Sequence, residues 1–368
     1  MRHEGDSHQK RARARGQVIV IGVVALIAML GMGGLILEGG NAYAQQRVTQ
    51  NAADAAANAG AVVLAERLAG TSRTDANVLN AVTNMATNNQ LTAITATYTD
   101  VAGAGLGVQV GSGTIPANAQ GVAASGSRSF GATIGRVMGF STFSASADAT
   151  AVTGRLTGGA FLPVIIPVSI VDCDTNGSLG GAQENAWTLS QPGTPPVGQE
   201  YIIPLCKTGG GSFQILDLDP SQRCDDEIAN PPTLSWPTLP VTVDSDNGNN
   251  CAKPISEYVN ANLRGQVVLI PICDNSPPDP CGTTGGSHAT YRVIKLAAIY
   301  LDYMSDSNNR NNPDCQNHTS SSGQSLVTIA GNGSSSCIAG WFVRYITAGP
   351  VGAGTVGNSD AIGIQLIK

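Results

Sequence analysis

Gly16–Leu37 is a run of 22 residues without a single charge, and the chain on either side of it is polar. At about 1.5 Å rise per residue the run is about 33 Å long as a helix, close to the ~30 Å hydrocarbon core of a bilayer. The pattern therefore predicts a membrane-spanning helix over 16–37. Beyond Glu38 the periodicity changes: Val48, Ala52, Ala55, Ala59, Val62 and Val63 recur every three or four residues, the spacing of one apolar helical face. This predicts an extramembrane helix over 38–70, with Gly70 as its stop. Joined to the span, it makes one long helix that is first hydrophobic, then amphipathic.

The same reading continues downstream. Asp75–Gln90 carries Val78, Val82, Met85 and Ala86 on one face behind Thr74, which fits a second, capped helix. Leu91–Tyr98, Leu106–Val110, Gly121–Phe130 and Ser141–Val152 alternate small polar and apolar residues and read as strands, with a short helix over Gly131–Gly139. Residues 71–154 therefore form a small α+β module. The texture changes at Gly154–Gly159. A proline-punctuated apolar run, Phe161–Val171, leads into short β-like runs at Phe213–Leu218, Gln266–Cys273, Tyr291–Tyr303, Cys337–Ile346 and Ala361–Ile367. The expected fold class is α+β, with five units: a basic tail over 1–15, the span over 16–37, the projecting helix over 38–70, the module over 71–154 and a β-rich unit over 155–368.

Charge orients the span. Arg2, Lys10, Arg11, Arg13 and Arg15 precede it, whereas Glu38 opens the other side and Arg47 is the nearest cation there. The basic flank is expected in the cytoplasm and the bulk outside it, in a single-pass protein of the cell membrane. Cysteine usage points the same way: Cys173, Cys206, Cys224, Cys251, Cys273, Cys281, Cys315 and Cys337 all lie beyond the span, and an even number suits a disulfide framework. Neighbours in sequence are the expected partners: Cys173–Cys206, Cys224–Cys251, Cys273–Cys281 and Cys315–Cys337. The Pro-rich loop between Cys273 and Cys281 keeps those two ends close. A cleavable signal peptide is the competing reading, because Ala42-Tyr43-Ala44 fits a small-x-small site. Signal cores of about 7–15 residues are shorter than this run, so a retained anchor is preferred.

Composition narrows the function classes. Only 12% of residues are charged and 5% aromatic, while glycine reaches 45 residues, a profile of a turn-rich exported protein. The net charge of −6 argues against nucleic acid as a partner. His288 and His318 are the histidines outside the cytoplasmic tail, both in Gly/Ser/Asn-rich loops, and no Gly-x-Ser-x-Gly elbow accompanies them. No catalytic site is expected. Asp172, Asp174 and Asn176, followed by Gly177, match the first half of a calcium loop, but Gln183 stands at the twelfth position. Asp244-Ser-Asp246-Asn247-Gly248 matches less well. Solvated turns are the preferred reading of both, so calcium is a candidate ligand and no cofactor is expected. Gly31, Gly33 and Gly34 form a small-residue patch within the span, so Gly31, Gly34, Ala52, Ala55 and Ala59 are the candidate helix interface.

Gly16, Val18–Leu37, Glu38-Gly39, Tyr43 and Gln50-Asn51-Ala52-Ala53-Asp54-Ala55-Ala56-Ala57 together resemble the N-terminal region of TadE/TadG-like proteins of tight-adherence (Flp) pilus assembly. Glu38 stands where Asp is usual, and Asn51 interrupts the alanine tract. Ser141–Val152 is similar to the closing strand of that family's first module. Gly211–Asp219, Gly265–Ile272 and Ile338–Val343 resemble segments of its longer members. Prepilins carry Glu five residues after the processed Gly; here Ile21 stands there, which places the likeness with the uncleaved, TadG-like branch. The resemblance implies a non-enzymatic, membrane-anchored component of pilus assembly or anchoring, whose partners are the lipid bilayer and other pilus assembly or pilin subunits. The alternative is a membrane-anchored adhesin or structural envelope protein.

Overall fold

A computed structural model of the 368-residue chain describes residues 6–168, 187–191, 193–205, 215–236, 238–245, 255–274, 290–305, 326–328, 337–357 and 359–368. Helix α1, Asp6–Leu68, is continuous over 63 residues and contains both the apolar run and the projecting segment. It ends where expected: Gly70 takes a φ of 85°, and the N–H groups of Ala69, Gly70 and Thr71 return to carbonyls of Ala65, Arg67 and Glu66. A left-handed residue after the last turn favours glycine, which has no Cβ to clash. Helix α2, Asp75–Asn88, begins behind Thr74, whose backbone N–H and hydroxyl both donate to Asn77 Oδ1 at 2.9 Å. It stops two residues short of the expected Gln90, because Gln90 adopts a φ of 60° and turns the chain into the sheet.

The first sheet is built from β1 (Ala93–Thr99), β2 (Gly105–Gln109), β3 (Gly121–Gly131) and β4 (Thr142–Leu156), with a 3-10 turn over Gly135–Met138 between the last two. All three adjacent pairs are antiparallel, and β3 and β4 align from Gly121↔Val152 to Gly131↔Thr142. Period-2 alternation sets the two faces. Ala96, Tyr98, Val122, Ala124, Ala147, Ala149 and Ala151 are buried with Ala53, Ala56, Ala57, Ala61 and Leu64 of α1 and Val78 and Val82 of α2. The resulting layers are one sheet under two helices.

Past Leu156 come β5 (Gly158–Gly159), β6 (Ile166–Pro167), β7 (Glu200–Pro204), helix α3 (Cys224–Ala229), β8 (Leu234–Ser235), β9 (Val241–Asp244), helix α4 (Ile255–Asn262), β10 (Val267–Cys273), β11 (Thr290–Ser305), β12 (Leu326–Thr328) and β13 (Cys337–Phe342). The second sheet runs β12-β7-β13-β11-β10-β6, with β9 also pairing β11. Its core gathers Val164, Ile166, Trp187, Ile203, Ile270, Ile299, Leu301 and Phe342 with Ile228 of α3 and Val259 of α4. Trp187 and Phe342 stack at 4.2 Å. Of the expected run Phe213–Leu218, Ile215 and Leu216 make isolated bridges to Val164 and Ser245, and the first two residues lie outside the described residues.

One expectation is corrected. The C-terminal run expected within the 155–368 unit lies on the first sheet instead. After Phe342 the chain crosses over to form β14 (Ile346–Ala348), β15 (Val351–Gly352) and β16 (Ile362–Leu366). β16 pairs antiparallel with β4 from Ile362↔Arg155 to Leu366↔Ala151. The reason is on β4, which continues to Leu156 rather than ending at Val152, and so offers a free ladder edge. The loop before β16 also carries Asp360, which binds the two sheets together. Its Oδ1 lies 2.9 Å from Lys295 Nζ of β11, and its Oδ2 lies 3.2 Å from Arg155 Nε of β4.

The helical stripe is also corrected. Of the six expected positions only Ala52 is buried; Ala55, Ala59 and Val63 are half-buried, and Val48 and Val62 are exposed. α1 instead turns Thr49, Ala52, Ala53, Ala56, Ala57, Gly60, Ala61, Leu64 and Ala65 inward. Gly60 explains the choice: a Cβ there would lie 2.9 Å from Val122 Cγ2 and 3.0 Å from Val82 Cγ2, so α1 approaches most closely on the face that carries it. Gly60→Leu is expected to destabilise the protein by about 1–3 kcal/mol, the usual cost of overpacking, read as a lowered unfolding temperature in detergent.

Candidate functional site

The strongest structural departure from a plain helix lies where α1 passes from apolar to polar. Side chains from Ile19 to Leu37 are exposed almost throughout, with Ile27 at 64% and Leu35 at 75%. Ile19–Leu68 is the one described helix long and apolar enough to cross a membrane. Gly34 is the exception and is buried. A Cβ on it would meet Ile134 Cγ2 at 2.9 Å, so the turn between β3 and β4 rests against the last part of the apolar run.

One helical turn later, Glu38 reaches the same turn. Its carboxylate accepts from the backbone N–H of Thr133 at 3.1 Å through both oxygens and from that of Ile134 at 2.7 Å. The Ile134 N–H, ahead of the others, holds the Glu38 carboxyl below its ordinary range, because donors aimed at a carboxylate favour its charged form. The glutamate therefore does more than end the apolar run: it ties this part of α1 to the sheet's hairpin.

Farther along, Gln46 Nε2 donates to the Ser146 carbonyl at 2.7 Å and Gln50 Nε2 to that of Asp148 at 3.0 Å. These carbonyls lie on β4 before its pairing with β16 begins at Ala151. An uncovered strand edge invites pairing with another chain, and the two glutamines occupy it. The opposite side of α1 presents Val48, Asn51, Asn58 and Val62 as exposed residues, with Ala55 and Ala59 partly covered between them. Two of the candidate interface residues thus belong to the outward side, whereas Ala52 and Gly34 face the protein's own module. Gly31 has nothing within 4 Å of where its Cβ would be.

A second polar cluster fixes the start of α2. Asp75 is nearly buried; it accepts from the Tyr98 hydroxyl at 2.5 Å and from the N–H groups of Gly111 and Gly113 at 2.9 and 2.7 Å. Burial pushes its carboxyl up, but Tyr98 and the two N–H donors outweigh it and the net shift is downward. Burial and the adjacent carboxylate push the Tyr98 hydroxyl well upward. The cluster joins α2, β1 and the turn after β2, so its role is to fix that corner.

The remaining sequence candidates fall largely outside the described residues. This is so for Asp172, Asp174 and Asn176, for Asp246 to Gly248, for His288 and His318, and for Cys173, Cys206, Cys251, Cys281 and Cys315. Cys224, Cys273 and Cys337 are described; each is fully buried, and none is a free thiol. Among the described residues no group of three His, Cys, Asp or Glu side chains could hold a metal ion. The roles of Ile134, Asp75 and Asp360 were missed in the sequence, since each acts across a long separation that periodicity does not register.

Comparison with known proteins bears on this segment of the chain. Residues 16–63 match the model of the Tad family, described as putative Flp pilus-assembly TadE/G-like. The matched segment runs from the start of the apolar stretch through the Glu38 contact to the inward alanine face. No curated protein and no solved structure matches the chain significantly.

The lowered Asp75 carboxyl has a pH consequence. A carboxylate depressed in the folded state stabilises above its unfolded pKa of about 3.9, and that contribution disappears as pH falls through the lower folded value. Asp75→Asn is expected to lose about 1.5–3 kcal/mol at neutral pH, the range for hydrogen bonds to charged groups. The variant's urea midpoint should also fall less between pH 5 and pH 2 than that of the wild type.

Proposed function

We propose that the protein is a non-enzymatic, membrane-anchored component of tight-adherence (Flp) pilus assembly or anchoring, of the TadG-like kind. The observation that carries this reading is the coincidence of the Tad match at 16–63 with the whole junction between apolar run and sheet. Its N-terminus lies in the cytoplasm, on the strength of the basic flank, and the two sheets lie outside the membrane. The outward side of α1, with Ala55 and Ala59 between Val48 and Val62, is the surface that meets another anchored pilus subunit. Small side chains there allow close helix contact, and the side opposite is already occupied by the protein's own sheet.

The eight cysteines form four disulfides in the β-rich unit, paired between sequence neighbours, where cross-links restrict the unfolded chain. The burial of Cys224, Cys273 and Cys337, none a free thiol, supports this. The bilayer and other pilus subunits are the partners; nucleic acid is not.

Direct measurements test the reading. Full-length protein should stay with membranes through carbonate extraction, and protease added outside intact spheroplasts should digest both sheets but not the basic tail. A mature N-terminus at Gln45 would show instead that a signal peptide was removed. Non-reducing peptide mapping should recover Cys273–Cys281 first among the pairs, and free thiols throughout would reject the exported, oxidised unit. The double variant Ala55→Glu and Ala59→Glu should abolish pilus formation while the protein accumulates at normal levels. Ala52→Leu, on the inward side, should lower the amount of folded protein. Normal pili from the double variant would make α1 a spacer.

A further inference from the structure

The turn that rests on Gly34 is chemically unlike the rest of the first sheet. Phe130, Phe140 and Phe143 cluster there, with ring centroids 6.1 Å apart for Phe130–Phe143 and 6.3 Å for Phe140–Phe143. They are half of the six phenylalanines in the chain. Phe140 is 57% exposed, and Arg136 beside it is exposed as well. Elsewhere the same two strands carry mainly Ala, Ser and Thr.

We propose that the β3–β4 hairpin tip is a second membrane contact: it seats Phe140 among lipid acyl chains near the headgroups and sets Arg136 toward lipid phosphates. The inference rests on the reading of Gly16–Leu37 as a membrane span. Depth is the first argument. Gly34 lies three residues inside the end of the apolar run, about 4.5 Å at about 1.5 Å per residue, and Ile134 packs on it. The tip is thus level with the last turn of the span rather than above it. Polar satisfaction is the second argument. Backbone N–H groups left unpaired near hydrocarbon are costly, and at this tip Glu38 takes those of Thr133 and Ile134. Composition is the third: an aromatic cluster with Phe140 exposed and Phe130 and Phe143 half-buried behind it, continuous with the exposed apolar run, matches the chemistry of the bilayer interface, where aromatic rings gather and long cationic side chains reach the headgroups.

The experiment uses full-length protein reconstituted in phosphatidylcholine–phosphatidylglycerol vesicles with chain-brominated lipid, and reads tryptophan quenching above the wild-type background. Three single variants are compared. Ile27→Trp reports the span. Leu79→Trp is the remote control, because its helix α2 packs at Gly60, about 33 Å along α1 beyond Glu38 at about 1.5 Å per residue. Phe140→Trp reports the tip. Quenching at 140 should be several-fold that at 79 and strongest with bromines near the headgroup end of the chain, whereas Ile27→Trp should respond most to bromines deep in the chain. If 27 is quenched and 140 matches 79, the tip is not a lipid contact and the inference fails while the anchor stands. If 27 is unquenched, the anchor reading fails and takes the inference with it. A blue-shifted, unquenched emission at 140 that depends on the protein-to-lipid ratio would assign the tip to contact between copies, and would also overturn the proposal.

Discussion

The fit between a methyl-lined helix face and a sheet of alanines and small polar residues is the constraint on which this structure depends. α1 buries Ala52, Ala53, Ala56, Ala57, Ala61 and Ala65 at 0–1% exposure and has Gly60 where Val122 and Val82 press closest. Side chains this small bury little area each, so the stabilisation at ~25 cal/mol per Å² must come from contact along many turns. That demand explains why the helix does not break after the apolar run. Leu64 is the one large side chain among these inward residues, so the alanine face is held mainly by the length of the contact.

Polar contacts fix the register that the methyl groups leave loose. Glu38 on the hairpin turn, Gln46 on Ser146 and Gln50 on Asp148 are spaced along the same inward side. Each engages backbone, so each survives changes of side chain on the sheet. At the other end Asp360 meets Lys295 and Arg155 while its own side chain has no exposure. Burial pushes the Lys295 ammonium down, and Asp360 counters it. A buried charge without its partner is strongly destabilising, so this node makes the docking of the C-terminal strand conditional on the second sheet being in place.

Local pattern reveals local structure, and the first module is mostly local. Thr74, Gly70 and the alternation in β1, β3 and β4 placed those elements to within a few residues. The pattern did not register which sheet the C-terminal strand joins, because strand alternation is the same on either sheet; Asp360 and the free edge of β4 decide it. Nor did it resolve the inward side of α1. In an alanine-rich tract almost every side carries methyl groups, so the valines drew attention to the wrong one, and the decisive residue was a glycine without a side chain to count. The apolar run and the acidic residue that ends it were legible because an uncharged stretch of this length is visible without any tertiary information.

A continuous helix with one side occupied also limits how the apolar run and the sheets can move relative to each other. Gly34 and Glu38 lie on the same side of α1 as Thr49, Ala53 and Gly60, so the sheet is held against the helix from within the apolar run to about five turns beyond Ala42, at about 3.6 residues per turn. Rotation of the apolar run about its axis would therefore turn the module with it, and a lateral push on the sheets would tilt the run. Such rigidity transmits orientation between the two ends of α1 rather than absorbing it. The outward residues Val48, Ala55, Ala59 and Val62 are then presented at a fixed angle, set by the same contacts that hold the sheet.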